Sequence, residues 1–115
     1  MKLNGKFDVG GVIAKEDERY KVVDNSLLNN LVLSSTSLNP GYSTSGHKHA
    51  GQEEVYIFIR GSGDMTLIHP DNKEEQFPVS EGDIVLIEDD VHHRVFNNSN
   101  EELYFVCVFD GKRSH

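Results

Sequence analysis

One stretch of the chain carries most of the information about its structure, and it reads Gly41-Tyr-Ser-Thr-Ser-Gly-His47-Lys-His49-Ala-Gly-Gln-Glu-Glu54-Val-Tyr-Ile-Phe-Ile-Arg-Gly61. Its second half is β-branched and aromatic and stops at a Gly-Ser-Gly triplet. That pattern predicts a strand from Glu54 to Arg60, followed by a hairpin turn. Side chains alternate between the faces of a strand, so His47 and His49 are expected to project to the same side.

A second stretch supplies a further imidazole, and it reads Gly82-Asp-Ile-Val-Leu-Ile-Glu-Asp-Asp-Val-His92-His93-Arg-Val-Phe-Asn97. Three imidazoles and one carboxylate suit a divalent transition metal, so we predict a metal site made of His47, His49, Glu54 and His93. Because His93 comes from a different strand than the others, this site requires a sheet that closes on itself. The donor set does not select among Mn, Fe, Ni, Co and Zn.

The remainder of the chain predicts an all-β fold. No stretch of a dozen residues keeps apolar positions at helical spacing, whereas short runs of Val, Ile, Leu and Phe recur between turn-forming residues. About eight short strands with this punctuation are typical of a closed barrel or a double-sheet jelly roll. Among them, Ile84–Ile87 is expected to be a buried run, and Pro78 is expected to place its strand at a sheet edge.

A length of 115 residues favours a single domain. We predict a barrel over residues 31–110, preceded by edge strands or a dimer-contact segment over residues 1–30 and followed by a short tail over residues 111–115. Exposed edge strands in a small sheet invite pairing with a second copy, so we expect a homodimer.

Composition and charge narrow the classes of partner. The formal net charge is −8 and no basic stripe is present, so no nucleic-acid partner is expected. No apolar run is long enough to span a bilayer and no signal peptide is recognisable, which predicts no membrane association and a cytoplasmic location. Cys107 is the single cysteine, so an internal disulfide is excluded and a small core residue is expected.

The first stretch resembles the first motif of the cupin family. That motif is a Gly, five residues, His-x-His, three or four residues, a Glu, six residues and a Gly, and its positions are occupied here by Gly41, His47, His49, Glu54 and Gly61. The resemblance covers nearly the whole chain from Leu31 to Phe109. It implies a double-stranded β-helix, or jelly-roll barrel, with a metal site and a small-molecule pocket.

The second stretch resembles the second cupin motif less completely. Gly82, His93 and Asn97 match it, whereas Glu88 and Asp90 stand where the family has a Pro-x-Gly turn. Counting from either end of the motif selects His93 as the ligand. His92 has the opposite strand parity and is expected on the other face.

Several residues near the predicted ligands are candidates for contact with a substrate. Tyr56 and Phe58 share the parity of Glu54, so both are expected to face the barrel interior. The hydroxyl of Tyr56 is suited to donate to a metal-bound oxygen or to act as an acid or base. The residues expected to take part in catalysis are Tyr56 and Glu53, and those expected to bind substrate are Gln52, Phe58 and Arg60. On the last strand, either Tyr104 and Val106 or Phe105 and Cys107 point inward, and alternation allows both.

A further likeness bears on the reaction. The segments Thr44-Ser-Gly-His47-Lys-His49 and Glu54-Val-Tyr56 are similar to the Thr-x-Gly-His-x-His and Glu-x-Tyr signatures of cupin-type glucose-6-phosphate isomerases. This likeness implies aldose–ketose interconversion on a metal that polarises the carbonyl. A phosphate calls for inward-facing cations, and few basic residues are expected to face inward. Lys48 and Arg94 have the outward parity, and Arg60 has the parity of Glu54 but lies at the far end of its strand. A sugar or small hydroxy acid is therefore favoured over glucose 6-phosphate itself.

The favoured hypothesis is therefore a metal-dependent isomerase or epimerase that acts on a sugar-like or small hydroxy-acid metabolite. Two alternatives remain open at this point. One is an Fe(II)-dependent dioxygenase, and the other is a non-catalytic protein that binds a small ligand in the same pocket.

Overall fold

The computed structural model describes residues 1–46 and 52–111, and within these ranges it contains nine β-strands and no helix. The strands are β1 (Val12–Glu16), β2 (Tyr20–Asn25), β3 (Leu31–Leu38), β4 (Glu54–Arg60), β5 (Ser62–Ile68), β6 (Glu74–Ser80), β7 (Ile84–Ile87), β8 (His92–Phe96) and β9 (Leu103–Asp110). A six-stranded sheet has the order β1-β2-β3-β9-β4-β7, and a three-stranded sheet has the order β6-β5-β8. The predicted all-β fold of two antiparallel sheets is confirmed.

Strand alternation places one apolar face of each sheet in a shared core. Phe58 of β4 and Phe105 of β9 belong to the larger sheet, and Met65 of β5 and Val95 of β8 belong to the smaller one; all four side chains are almost completely buried. Burying a side chain of this size contributes roughly 1.5–3 kcal/mol to folding. Among the described residues there is also no helix of the length and apolarity needed to cross a membrane.

Two sheet edges test expectations drawn from sequence. Pro78 lies on β6, an edge strand of the smaller sheet, as predicted. The expectation of a continuous buried run at Ile84–Ile87 is wrong, because Ile84 and Leu86 are 63% and 69% exposed while Val85 and Ile87 are buried. β7 is the edge strand of the larger sheet and packs against the core through one face only.

The motif glycines are required by turn geometry. Gly61, between β4 and β5, has φ +87°, and Gly82, before β7, has φ +92°. This left-handed region is costly for residues that carry a Cβ. Asp90, which stands where the family motif has Gly, adopts φ +64°. The turn before β8 therefore keeps a left-handed residue, in a residue type that tolerates it better than most.

The segment before β1 packs on the outer face of the larger sheet. Val9 is buried against Tyr104 and Val106, the Tyr104 hydroxyl donates to the Phe7 carbonyl (2.7 Å), and the Asn25 side-chain amide donates to the Val9 carbonyl (2.6 Å). Tyr104 and Val106 therefore belong to an outer cluster. The alternate residues of β9 are the ones that face the interior.

Asn97 ties the end of β8 to two other parts of the chain. Its side chain is fully buried, and its amide donates to the carbonyls of Leu38 (2.9 Å) and Glu101 (2.8 Å). Its side-chain oxygen accepts from the backbone N–H of Ser99 (3.0 Å). The motif asparagine thus has a structural role, since it satisfies backbone groups that would otherwise be buried without partners.

We expect Asn97→Ala to lower the free energy of unfolding by roughly 3 kcal/mol, because each buried polar group left without a partner costs about 1–3 kcal/mol. Urea denaturation followed by circular dichroism measures the change. Asn98→Ala is the matched control, since Asn98 is exposed and bonds to Asp64 at the surface. Equal stability losses in the two variants would contradict the assignment.

Candidate functional site

Glu54 and His93 meet across the two sheets. Glu54 begins β4 of the larger sheet and His93 lies in β8 of the smaller one, and both are buried, with 7% and 2% of their surface exposed. The distance from His93 Nε2 to Glu54 Oε2 is 3.3 Å. Closure of the two sheets therefore joins a histidine and a carboxylate that are far apart in sequence.

The hydrogen bond on the other side of the imidazole defines what this pair can hold. His93 Nδ1 lies 3.2 Å from the Val91 carbonyl, and a carbonyl only accepts, so Nδ1 carries a proton. Nε2 then turns its lone pair, or a second proton, toward the Glu54 carboxylate. A neutral imidazole oriented by a backbone carbonyl, facing a carboxylate, is the usual arrangement around a transition metal. The residues present therefore fit a divalent metal.

Two of the four predicted ligands, His47 and His49, lie outside the described residues. Among the residues that the structure does describe, no group of three or more His, Cys, Asp or Glu side chains is close enough to hold a metal. His92 is half-buried and its ring lies against Gly46, where any side chain would overlap the imidazole. His92 and His93 follow one another along β8 and so point to opposite faces.

A cavity of about 470 Å³ opens beside Glu54. Its floor is the inner face of the larger sheet, where one row of paired residues runs from Asp24 through Ser34 and Cys107 to Tyr56. The Ser34 hydroxyl donates to Asp24 Oδ1 (2.6 Å). The volume is in the range that encloses a small metabolite.

Tyr56 lines the cavity beside the buried pair. Its ring stacks on Phe105 (centroids 5.1 Å apart) and meets the His93 ring edge-on (5.6 Å). Burial raises the pKa of Tyr56 well above its usual value, and electrostatic interactions with Cys107 and Glu54 raise it further. The phenol therefore keeps its proton at neutral pH and is suited to donate a hydrogen bond rather than to act as a base.

The last strand contributes Phe105, Cys107 and Phe109 to the cavity wall. The sequence allowed either Tyr104 and Val106 or Phe105 and Cys107 to point inward, and the structure shows the second arrangement. Burial raises the pKa of the Cys107 thiol to about 12, the Glu54 charge acts in the same direction, and a hydrogen bond with Ser34 opposes both. Cys107 is thus a buried protonated thiol, as expected for a small core residue.

The remaining residues expected at the site lie apart from the cavity wall. Gln52 is buried and its side-chain amide donates to the Asp110 carbonyl (3.3 Å), whereas Glu53 is exposed. Phe58 is completely buried in the core. Arg60 is exposed, and its guanidinium lies over the Tyr104 ring at 4.4 Å, on the outer face of the sheet. None of the four lines the cavity, so their positions do not favour the catalytic and substrate-binding roles expected of them.

Three polar residues of the N-terminal strands line the cavity and were not expected there. They are Lys15, Tyr20 and Asp24. Lys15 corrects the inference that few basic residues face inward, which considered Lys48, Arg60 and Arg94. The sequence held no usable signal for Lys15, because its direction depends on an irregularity in β1.

Comparison with known proteins identifies the family. Residues 35–109 match the Cupin domain model, which is more than half of the chain. The chain therefore belongs to the cupin family.

Several characterised proteins are similar to the chain over part of their length. It is 30% identical over 115 residues to a glucose-6-phosphate isomerase of Thermococcus kodakarensis, covering 90% of this chain and 61% of the isomerase. It is 32% identical over 71 residues to an oxalate-binding protein of Thermotoga maritima, covering 62% of this chain and 54% of that protein. The chain thus spans less than two thirds of these relatives.

A solved structure supports the fold. An oxalate decarboxylase of Bacillus subtilis, described with Mn(II) centres, superimposes with a TM-score of 0.79 at 23% identity, covering 87% of this chain and 28% of that one. At this identity the likeness establishes the fold alone.

We expect Cys107 to react with iodoacetamide about a thousandfold more slowly in the folded protein than in urea. At pH 8 a thiol with a pKa of about 12 is thiolate in only about one molecule in 10⁴, whereas an ordinary thiol with a pKa of about 8.5 is roughly one quarter ionised. Mass spectrometry of timed samples measures both rates. Similar rates in the two conditions would contradict the buried, protonated state.

Proposed function

We propose that this member of the cupin family is a metal-dependent isomerase or epimerase acting on a small sugar-like or hydroxy-acid metabolite. The observation that carries the proposal is the buried contact of His93 Nε2 with Glu54 Oε2 (3.3 Å) at the wall of a cavity of about 470 Å³. The metal would be one divalent transition ion, Mn, Fe, Ni, Co or Zn, held by His47, His49, Glu54 and His93.

The path of the chain ahead of His47 supports this ligand set. Thr44 is held against β8, since its N–H donates to the Val95 carbonyl (2.9 Å) and its hydroxyl accepts from the Val95 N–H (3.0 Å). Val95 lies two residues from His93 on the same face of β8. The described chain therefore runs beside the strand that carries His93 at Thr44, three residues before His47 in the sequence.

A metal bound there would supply Lewis acidity, which polarises a carbonyl and an adjacent hydroxyl. The protein's own groups provide the surroundings. Tyr56 donates a hydrogen bond to an oxygen that gains negative charge, and its high pKa keeps that proton in place. Phe105 and Phe109 form an apolar wall that limits water near the reacting atoms.

Asp24 serves recognition rather than proton transfer at the metal. It lies three strands away from β4 in the same row as Tyr56, which is roughly 14 Å at the usual strand spacing. A base must come within about 3 Å of the proton that it removes. Asp24 and Ser34 are therefore assigned to hydroxyl groups in the middle of the ligand.

A non-catalytic ligand-binding protein is the second candidate. Similarity to the oxalate-binding protein of Thermotoga maritima favours it. Such a protein would use the same metal and cavity to hold a small molecule without turnover.

We also propose a homodimer formed through the N-terminal edge of the larger sheet. β1 is an edge strand, and its Val12 and Ile13 are 74% and 54% exposed. An apolar edge with free backbone groups is suited to pairing with a second copy.

His93→Ala is expected to strip the metal, because it removes a ligand and leaves the buried Glu54 carboxylate without its partner ring. His47→Ala is expected to do the same, whereas His92→Ala retains the metal, since its ring points to the other face. Inductively coupled plasma mass spectrometry on the three purified variants measures metal per chain. A His93→Ala protein with a full complement of metal would overturn the ligand assignment.

Turnover is tested on EDTA-treated protein reloaded separately with Mn, Fe(II), Co, Ni and Zn. The substrates are aldoses, ketoses, their phosphates and small hydroxy acids, followed by proton NMR without oxygen. We expect interconversion with several metals, and a loss of roughly 10²-fold in kcat for Tyr56→Phe at unchanged metal content.

Tyr104→Phe is the matched control, because the Tyr104 hydroxyl bonds to Phe7 on the outer face. Turnover that needs Fe(II) and consumes oxygen would replace the isomerase by a dioxygenase. Thermal stabilisation by a compound that is never converted would favour the non-catalytic candidate.

A further inference from the structure

The end of the cavity remote from Glu54 carries a positive charge in a strongly acidic protein. Lys15 of β1, Tyr20 and Ser45 line the cavity, as do Glu54 and Tyr56 of β4, and β1 and β4 are separated by β2, β3 and β9 in the larger sheet. The formal net charge of the chain is −8, so a lysine on the cavity wall has the opposite sign to the net charge of the protein.

A β-bulge turns Lys15 toward the cavity. Val12 pairs with Asp24 and Ile13 with Val23, but the next pair is Lys15 with Val22, so Ala14 is an extra residue on β1. In a regular strand Ala14 would stand opposite Val22 and Lys15 would point outward. Bulges commonly re-aim a side chain beside a functional site. Because Val22 itself lines the cavity, the bulge moves the lysine onto the same wall.

Two cations flank the ring of Tyr20, but only one carries an uncompensated charge. The guanidinium of Arg19 lies 4.6 Å from the ring centre, and the Lys15 Nζ lies 5.4 Å from it. Arg19 is bound to Asp17 (Nη2 to Oδ2, 2.8 Å) and donates to the Ser45 hydroxyl (3.1 Å). In the described part of the chain, Lys15 forms no ion pair with a carboxylate.

The Tyr20 hydroxyl is suited to donate a hydrogen bond to an anion, because its surroundings lower its pKa. Burial raises the pKa of Tyr20, but hydrogen bonding to Lys15 and Ser45 and the charges of Lys15 and Arg19 lower it by more, so the net shift is downward. A more acidic hydroxyl is a stronger donor to an anion. An ammonium and such a hydroxyl side by side form a site for one small oxyanion.

The polar groups along the cavity define an order. In the strand order of the larger sheet, Glu54 lies on β4, Ser34 on β3, Asp24 and Tyr20 on β2, and Lys15 on β1, and all five residues line the cavity. The Asp24 carboxylate accepts a hydrogen bond from the Ser34 hydroxyl. Its negative charge disfavours an anionic group of the ligand in the middle of the cavity. A matching ligand therefore chelates at one end, carries hydroxyls in its middle and bears its anionic group at the far end.

We propose that Lys15 and the Tyr20 hydroxyl bind a terminal carboxylate or phosphate of the ligand, at the end remote from Glu54 and His93. This rests on the metal-dependent function proposed above. It assigns the substrate to small polyhydroxylated metabolites with one anionic terminus, and it makes Lys15 the residue that selects for that charge.

The test uses three probes with one carbon skeleton: D-sorbitol, D-gluconate and D-sorbitol 6-phosphate. Isothermal titration calorimetry on metal-loaded protein measures their affinities. Wild type is expected to bind at least one anionic probe tenfold or more tightly than sorbitol, since hydrogen bonds to a charged group are stronger than those to a neutral group. Gluconate and the phosphate separate the two kinds of anion.

Lys15→Met is expected to abolish the preference for the anionic probe, and Lys15→Arg is expected to keep most of it. Lys21→Met is the matched control, because Lys21 is exposed on β2 and has the opposite parity to Tyr20. Tyr20→Phe is expected to weaken binding of the anionic probe by a smaller factor than Lys15→Met does. All three lysine variants change exposed residues, so folding and metal content should remain unchanged.

An unchanged preference in Lys15→Met would overturn the proposal, and so would equal affinities of wild type for all three probes or no binding of any of them. Metal analysis and the turnover assay on the same samples report the proposed function separately. Selective binding of an anionic probe through Lys15 without turnover would support the anion site and contradict the isomerase. Turnover of neutral sugars alone would support the isomerase and contradict the anion site.

Discussion

A buried histidine and a buried carboxylate placed 3.3 Å apart are the contact on which the rest of this structure depends. Removing such groups from water costs several kcal/mol per ion, and well-packed apolar side chains would be at least as stable. The metal proposed above would account for this cost of burial. It also sets the register of two strands, because a shift of one residue in β4 or β8 would turn Glu54 or His93 out of the interior.

The cavity beside this pair combines two parts of the chain with different origins. The barrel strands contribute Tyr56, Phe105 and Cys107, which give an apolar and protonated end. The N-terminal hairpin contributes Lys15, Tyr20 and Asp24, which give a polar and partly charged end. A ligand that satisfies both ends must carry different groups at its two ends. Under the proposals above, the hairpin selects for charge and the barrel carries the chemistry.

The sequence alone predicted the alternation of side chains along β4 and the positions of the turns. The burial of Tyr56 and Phe58 followed from the parity of Glu54, and the edge position of β6 followed from Pro78, since proline cannot donate to a ladder. The prediction of a buried run at Ile84–Ile87 was wrong, because a short apolar segment has the same sequence pattern whether its strand is covered on one face or on both. Sequence alone does not report what packs on the second face.

Local rules of backbone and side-chain geometry accounted for the strands and their turns, and counting along the cupin motif identified His93 rather than His92 as the inward histidine. Two features emerged only when distant segments packed together: the inward parity of Phe105 and Cys107, and the turn of Lys15 toward the cavity. The reason is physical. A single extra residue at Ala14 reverses strand parity, and the choice between the two faces of β9 depends on whether Val9 or the opposite sheet covers each one.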